Sequence, residues 1–563
     1  MIRNKKIFLI LGFGIMLFAT GCKKYLDVNA NVNDPVAVPT GTLLTTAERN
    51  LGIALSYQLP NGSPGLSGML AVYMHQMSTR ETANQYGVRG ATVDPVWDQL
   101  FQQVLPDLDV IIRQATAEEN LIYAGIGKIL RAYTFSQMVD VWGDIPYSEY
   151  NKFKDGIKQP AYDDDATIYP KLLAMLDEGI ADIQNTTALN PSRPGGNDLI
   201  YKGSTANWIK AANTIKLKLL TQVRKVQDVS AQVTALLSNP ASLINSNAES
   251  FVLPFGPLAA TDDRNPGFDD YIATQRSMHV SPWFYEILKG YNPNIYTGIA
   301  DPRVRYYIYN QIRPTAAAQS NTEYRDGAFV SIYFGSTGQF RDGNQQNSIS
   351  VFGIYPVGGR YDDGAGGTAS ANSGTGAAPY RFITYADRLY LEAELINAGV
   401  ATGDEVAVFT NAVNASFSQI DYVITTFVKP TQTVPVLATS AAATTYKDEV
   451  IALFTAANAS RRLEYTMTQK WLASVGSSVD QYSDYRRTGF PILFDPSNPA
   501  MAPGGRVQPP VNGNPFVVPQ QSVPVVLGVN FPESLPWSDN EINLNANAPA
   551  QKQPDLYKIF WKP

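Results

Sequence analysis

Apolar residues return every three or four positions through much of residues 41–238, the spacing of amphipathic helices. Trp97, Leu100, Phe101, Val104, Leu105, Leu108, Ile111 and Ile112 make one such face. Pro106 predicts a kink or a helix start within it. Residues 121–141 predict a second helix, closed by Gly143 and Pro146. Ile168, Leu172, Leu173, Leu176, Ile180 and Ile183 mark a third. Ser204 is placed to cap a fourth, running from Trp208 to about Val226. Its Lys210, Lys216, Lys218, Arg224 and Lys225 predict a basic, solvated face. From 239 to 379 the periodicity breaks into short extended pieces, such as 329–334 and 349–355, punctuated by Pro, Gly and Asn. The Gly/Ser/Ala/Asn stretch 358–378 reads as a mobile loop. Helices return over 384–398, 405–420, 446–459 and 461–475, and beyond 488 the chain is Pro-rich. Paired helices with short connectors predict a mainly α scaffold of αα-hairpins.

The first residues follow neither pattern. Arg3, Lys5 and Lys6 precede an apolar run at 7–18, shorter than the roughly 20 residues that span a membrane. Ala19-Thr20-Gly21 supplies the small residues of a cleavage point just before Cys22. The arrangement resembles a bacterial lipobox, with Ala19 where Leu is more usual. Residues 1–21 are then a lipoprotein signal peptide, Cys22 the lipidation site and 22–40 a lipidated tether. Acyl chains on one residue hold a soluble domain at a membrane, each buried methylene contributing about 0.8 kcal/mol.

Composition narrows the chemistry. Cys22 is the one cysteine in 563 residues, so intramolecular disulfides, zinc knuckles and iron–sulfur sites are excluded. His75 and His279 are the only histidines, which leaves no His-rich metal cluster and argues against a His-dependent triad. A net charge of −6 and a pI near 5.2 argue against nucleic acid as partner. No G-x-S-x-G elbow or G-x-x-x-x-G-K-[ST] loop occurs. Asp163-Asp164-Asp165 precedes a helix, where capping explains it best. Asp362-Asp363 lacks the alternating spacing of a calcium loop. No cofactor is expected; a structural calcium assembled from distant oxygens stays open. The doublets Arg461-Arg462 and Arg486-Arg487, near Glu464, Asp480 and Asp484, predict an ion-pair network.

Aromatic residues make up 11% of the chain. Trp283, Phe284, Tyr285, Tyr291 and Tyr296 cluster between loop signals, and Tyr86 lies in the polar stretch 78–92. Rings of this kind are more often core than ligand platform. Beside Asn84, Gln85 and Arg89 they also suit sugar faces and hydroxyls. The candidate ligand-binding residues are Asn84, Gln85, Tyr86, Arg89, Trp283, Tyr285 and Tyr291.

Six motifs carry a resemblance. Residues 132–149 read AYTFSQMVDVWGDIPYSE and 207–219 read NWIKAANTIKLKL. Asp301-Pro302-Arg303 follows, then 384–394, TYADRLYLEAE, with Asp387 where the related pattern has Glu. Gln469-Lys470-Trp471 precedes Asp484-Tyr485-Arg486-Arg487-Thr488-Gly489-Phe490-Pro491. Phe531-Pro532-Glu533 and Glu541 to Asn545 close the series. In this order they resemble the SusD/RagB family of nutrient-binding outer-membrane lipoproteins, in the branch with an R-R-T-G-[FY]-P signature. The resemblance implies a tetratricopeptide-like αα-hairpin scaffold, about 41–238 and 380–490, under an irregular ligand-binding lobe, about 239–379 and 491–563. It also implies a non-catalytic role. The protein would bind oligosaccharide or peptide nutrients and deliver them to a SusC-like TonB-dependent transporter, lipid-anchored in the outer membrane and facing the exterior. Two other roles compete with this one: a lipid-anchored glycan-degrading enzyme, which needs two convergent carboxylates, and a purely structural subunit of the transporter complex.

Overall fold

Helices form where the apolar spacing places them, and two of their expected surroundings turn out differently. The computed structural model describes residues 38–57, 65–273, 275–276, 278–317, 324–343, 346–495, 526–528 and 530–562. Cys22 and the signal and tether read from the sequence lie outside them, apart from 38–40. Helix α1 spans Thr40–Leu55 and α2 Leu66–Tyr73. The apolar face at 97–112 is one continuous rod. In it α3 (Gly90–Asp98), a π-helical stretch (Gln99–Val104) and α4 (Leu105–Ala117) follow without a break. Pro106 sits in the first turn of α4. The wider turn ahead of it relieves the clash of a proline ring with the carbonyl four residues back.

Helix α5 (Leu121–Trp142) ends at Gly143, whose φ of +75° favours glycine. Helix α6 (Asp165–Gln184) is capped by Asp164, which accepts the Ala166 N–H. The two helices touch backbone to backbone. A Cβ on Gly125 would lie 2.5 Å from the Gly179 carbonyl oxygen. Helix α7 (Thr205–Val223) starts at Ser204, whose hydroxyl accepts the Asn207 N–H, and α8 spans Ser230–Leu237.

After the short α9 (Pro282–Leu288) the second helical block comprises α10 (Tyr385–Asn397), α11 (Glu405–Val423), α12 (Ala441–Ala456), α13 (Ala459–Ala473) and α14 (Val479–Thr488). At the start of α10, Thr384 and Asp387 form a reciprocal capping box. The shorter carboxylate at 387 therefore does the capping work of a glutamate. Helix α7 packs on α6 and α10 and joins the two blocks. The fold is thus mainly α, a tetratricopeptide-like αα-hairpin scaffold.

The basic face of α7 is paired, not solvated as expected. Lys210 meets Glu249 at 2.6 Å, and Lys216 meets Asp177. Lys218 is buried between Asp480 (2.9 Å) and Asp140 (3.6 Å). Arg224 reaches Glu394 of α10 at 2.7 Å, and Arg487 of α14 grips the same carboxylate at 2.7 and 2.9 Å. Asp484 bridges Arg487 and Lys470, both at 2.7 Å. Burial alone would raise the Glu394 carboxyl; Arg224 and Arg487 outweigh it and hold it below the usual range. Of the expected network, Arg461 pairs with Glu464 and Arg462 with Glu405. Arg486 departs from it. This residue packs over the Tyr482 ring, 3.8 Å from its centroid, and donates to the Glu533 carbonyl at 2.7 Å.

Between the blocks the chain is loop-rich. Four antiparallel strand pairs occur among the described residues. Strand β1 (Met77–Thr79) pairs with β3 (Met278–Val280), and β2 (Phe251–Leu253) with β8 (Tyr380–Ile383). Strand β4 (Ile308–Tyr309) pairs with β7 (Val351–Phe352), and β5 (Tyr324–Asp326) with β6 (Phe329–Ser331). The stretch 358–378 is irregular but pinned, not the mobile loop expected. Thr375 N–H bonds back to the Gly358 carbonyl at 3.0 Å, Gly367 N–H to that of Gln311 at 2.8 Å, and Ala369 N–H to the Gln311 side chain at 2.8 Å. Positive φ at Gly358 and Gly376 lets it double back on itself.

Asp301-Pro302-Arg303 anchors this lobe to the scaffold. Arg303 is fully buried and forks onto the Asp301 carboxylate at 2.6 to 3.0 Å. It also donates to Gln469 of α13 at 2.9 Å and lies 4.7 Å from the Phe417 ring of α11. Residues 531–562 close the other side. Trp142 donates to the Pro536 carbonyl, Trp537 to that of Asp144, and Trp561 to the Asp140 carboxylate, at 2.8 to 3.0 Å. The motif at 132–149 is therefore a structural seam. A Cβ on Gly143 would strike the Tyr557 ring at 2.5 Å.

Candidate functional site

The pairing of β1 with β3 sets Ser78 opposite His279, so that the stretch 80–89 leaves from one end of the ladder and α9 from the other. The two aromatic segments singled out in the sequence are thereby joined. Residues 82–85 form a turn of 3-10 helix, and Tyr86 follows in the left-handed region at φ +58°. Asn84 holds that turn. Its carbonyl oxygen accepts the Thr79 N–H at 3.1 Å, and its amide donates to the Tyr333 carbonyl.

His75 fixes Tyr86. The Nδ1 atom accepts the Phe494 N–H at 3.1 Å, so Nε2 carries the proton and donates to the Tyr86 hydroxyl at 2.8 Å. The Tyr86 ring packs on Phe334 (4.7 Å) and Phe531 (5.4 Å). Trp283 donates to the Ile492 carbonyl at 3.2 Å and lies 5.9 Å from Phe494. Rings continue from Phe494 through Tyr333 and Tyr324 to Phe329, which stacks flat on Tyr285 at 3.7 Å. The Tyr285 hydroxyl donates to Asp326 at 2.7 Å.

The candidates therefore fall into two groups. Asn84, Tyr86, Trp283 and Tyr285 are only 1%, 6%, 3% and 5% exposed. They build the wall and are sealed within it. The cause is partner rings and carbonyls distant in sequence. Gln85 and Tyr291 are half-buried and Arg89 is exposed, so these three reach the surface. Burial and the neighbouring Asp326 push the Tyr291 phenol up to about 12. Lys289 lies 5.6 Å from the Tyr291 ring and 6.0 Å from that of Tyr285. Lys289 and Asp326 were not among the sequence candidates. The Asp326-Gly327 pair is a hairpin-turn signal that marks the second of them.

Both histidines are buried and neutral, their pKa values pulled down to about 3 by burial, with Arg80 adding to the effect at His279. Neither ring nitrogen of His279 has a hydrogen-bond partner among the described residues. As pH falls through 6.5 the unfolded chain binds protons that the folded one refuses, so stability present at neutral pH is lost toward pH 3. His279→Leu is expected to flatten the fall of the thermal midpoint between pH 7 and about pH 4. Parallel curves for variant and parent would refute this.

The acidic clusters serve structure. Asp163 accepts from the Tyr147 and Ser148 backbone, and Asp362 from Gly364 and Asn310. No group of three or more His, Cys, Asp or Glu is placed to hold a metal among the described residues.

A helical-hairpin scaffold overlaid by a loop-built lobe with an aromatic wall defines a SusD-like protein. The family described as SusD-like, starch-binding and associating with the outer membrane, matches residues 32–510, and the chain belongs to that family. A chitin-binding SusD homolog from Flavobacterium johnsoniae shares the fold at TM-score 0.64 and 17% identity, over 93% of this chain and 98% of its own. A SusD/RagB family protein from Bacteroides thetaiotaomicron does so at TM-score 0.65 and 18% identity, over 93% and 99%. A SusD homolog from Bacteroides uniformis gives 0.63 and 17%, over 92% and 99%. No curated protein matches the chain in sequence.

Proposed function

We propose that this protein is a non-catalytic outer-membrane lipoprotein, anchored through Cys22, that captures oligosaccharide or peptide nutrients. It hands them to a SusC-like TonB-dependent transporter. The observation that carries the reading is the family match over residues 32–510, with its starch-binding, outer-membrane description. The aromatic wall supports it, as does the likeness to a chitin-binding homolog. A wall whose rings are locked by buried hydrogen bonds presents Tyr291, Gln85 and Arg89 at low entropic cost. Tyr291 supplies a flat apolar surface for a sugar ring, and Gln85 and Arg89 supply donors for hydroxyls. The tether lets the globule swing over the barrel, and affinity is about micromolar or weaker because transport requires release.

Calorimetry of the purified chain against a panel of neutral oligosaccharides and peptides tests the binding half. Tyr291→Ala is expected to weaken the best ligand about tenfold, the value of one aromatic contact. Silence across the whole panel would remove ligand capture. Pull-down of the native lipoprotein tests delivery: a co-purifying β-barrel is expected, and its consistent absence would remove the partner.

A further inference from the structure

A cleft of about 580 Å³ opens in the irregular lobe and shares no residue with the aromatic wall. Three segments that the proposed function leaves unused line it: 257–264, the glycine-rich 359–375, and 430–432. Part of its lining is bare backbone by necessity. A Cβ on Gly359 would lie 2.1 Å from the Tyr271 hydroxyl oxygen, and one on Gly374 would lie 2.5 Å from the Gly358 carbonyl oxygen. The volume suits a ligand of a few sugar rings.

Two arginines face this space. The Arg264 guanidinium lies 5.3 Å from the Phe268 ring centroid. Its Nε is buried with no hydrogen-bond partner, and Asp269, the carboxylate whose charge it feels, forms no ion pair with it among the described residues. Arg360 lies 5.0 Å from the Tyr309 ring, and its ion-pair partner Asp363 is 3.8 Å away, beyond hydrogen-bond length. That carboxylate is also engaged by the Gln432 amide at 3.1 Å. Among the described residues the lining contains no Asp or Glu; Asn372, Ser373 and Thr375 supply neutral polar groups.

Deep in the fold, Arg303 and Arg487 are matched by carboxylates, while Arg276, Arg381 and Arg486 direct their donors to backbone carbonyls. Arg264 and Arg360 differ from both kinds in lining an open cleft, each held against a ring, in a chain with net charge −6. The planar fork of a guanidinium matches two oxygens of one anion, and shielding from water strengthens the pair. We propose that this cleft binds the anionic group of an acidic saccharide, a uronate carboxylate or a sulfate ester. The saccharide class rests on the nutrient-capture reading; the preference for an anion rests on the arginines alone.

Calorimetry on the full chain with four probes tests it: trigalacturonate, a chondroitin sulfate tetrasaccharide, maltotriose and tetraglutamate. At low salt at least one acidic saccharide is expected to bind, identifying carboxylate or sulfate as the source. The double variant R264Q/R360Q should weaken it about tenfold or more, the effect of losing charged hydrogen bonds. Binding of neutral oligosaccharides at the aromatic wall should be unchanged, which also controls for folding. Raising salt toward about 0.2 M should weaken only the acidic probe. If neutral sugars bind and neither acidic saccharide does, or if the double variant binds the acidic saccharide as the parent does, the anion site is refuted and nutrient capture stands. If no saccharide binds but tetraglutamate does, the ligand is peptide and the saccharide assignment falls. If nothing binds, both readings fall together.

Discussion

Glu394→Gln is expected to destabilise the fold by about 3–5 kcal/mol, the cost of stranding a buried charge. The Glu394 side chain is fully buried and is gripped by two arginines from different helices. Glutamine has nearly the same volume, so the change opens no cavity and isolates the electrostatic effect. Arg487 keeps Asp484 at 2.7 Å, but among the described residues Arg224 keeps only the Thr221 carbonyl, at 2.9 Å. The loss therefore falls mainly on Arg224 and on the joint between α7 and α10. Denaturant unfolding followed by circular dichroism would show a lower midpoint with an unchanged slope. The effect should persist in high salt, because the pair is shielded from solvent. A loss below about 1 kcal/mol would mean that the pair behaves like a surface bridge.

The second large effect is expected at Arg303→Met. It removes the fork onto Asp301 and leaves that carboxylate buried and unpaired, again at about 3–5 kcal/mol. Asp301→Asn added to Arg303→Met should recover part of the loss, since no charge is then stranded. Hydrogen exchange locates the damage. Amides around 301–309 should lose protection while those of α5 and α6 keep theirs, because Arg303 joins the lobe to α11 and α13 and touches neither of those helices. Uniform loss across the molecule, or a double variant worse than the single, would contradict this account.

The scaffold was legible because helices announce themselves locally. Ser204, Asp164 and Thr384 cap where a reader of short-range patterns would put them, and the apolar spacing at 97–112 is one rod. What surrounds a helix is not local. Lys218 and Arg224 look solvated until Asp480 of α14 and Glu394 of α10 are brought against them. The surroundings of the candidate site are no more local. Tyr86 is sealed by Phe334 and Phe531, and Trp283 by a carbonyl at Ile492, partners whose proximity no spacing rule reports. Gln85 and Tyr291 are half-buried and Arg89 is exposed. The resemblance motifs proved to be joints: 132–149 meets the C-terminal segment, and Asp301-Pro302-Arg303 meets α11 and α13.

That first joint bears on how the polypeptide is made. Asp140, near the end of α5, receives its bond from Trp561, 421 positions later. A ribosome releasing this chain exposes the long apolar helix well before the indole that seals it exists. Such distant closure slows acquisition of the native state and leaves a nascent intermediate that invites chaperones. A product ending near residue 530 should accordingly be a proteolysis-prone species rather than a smaller working version of the same molecule.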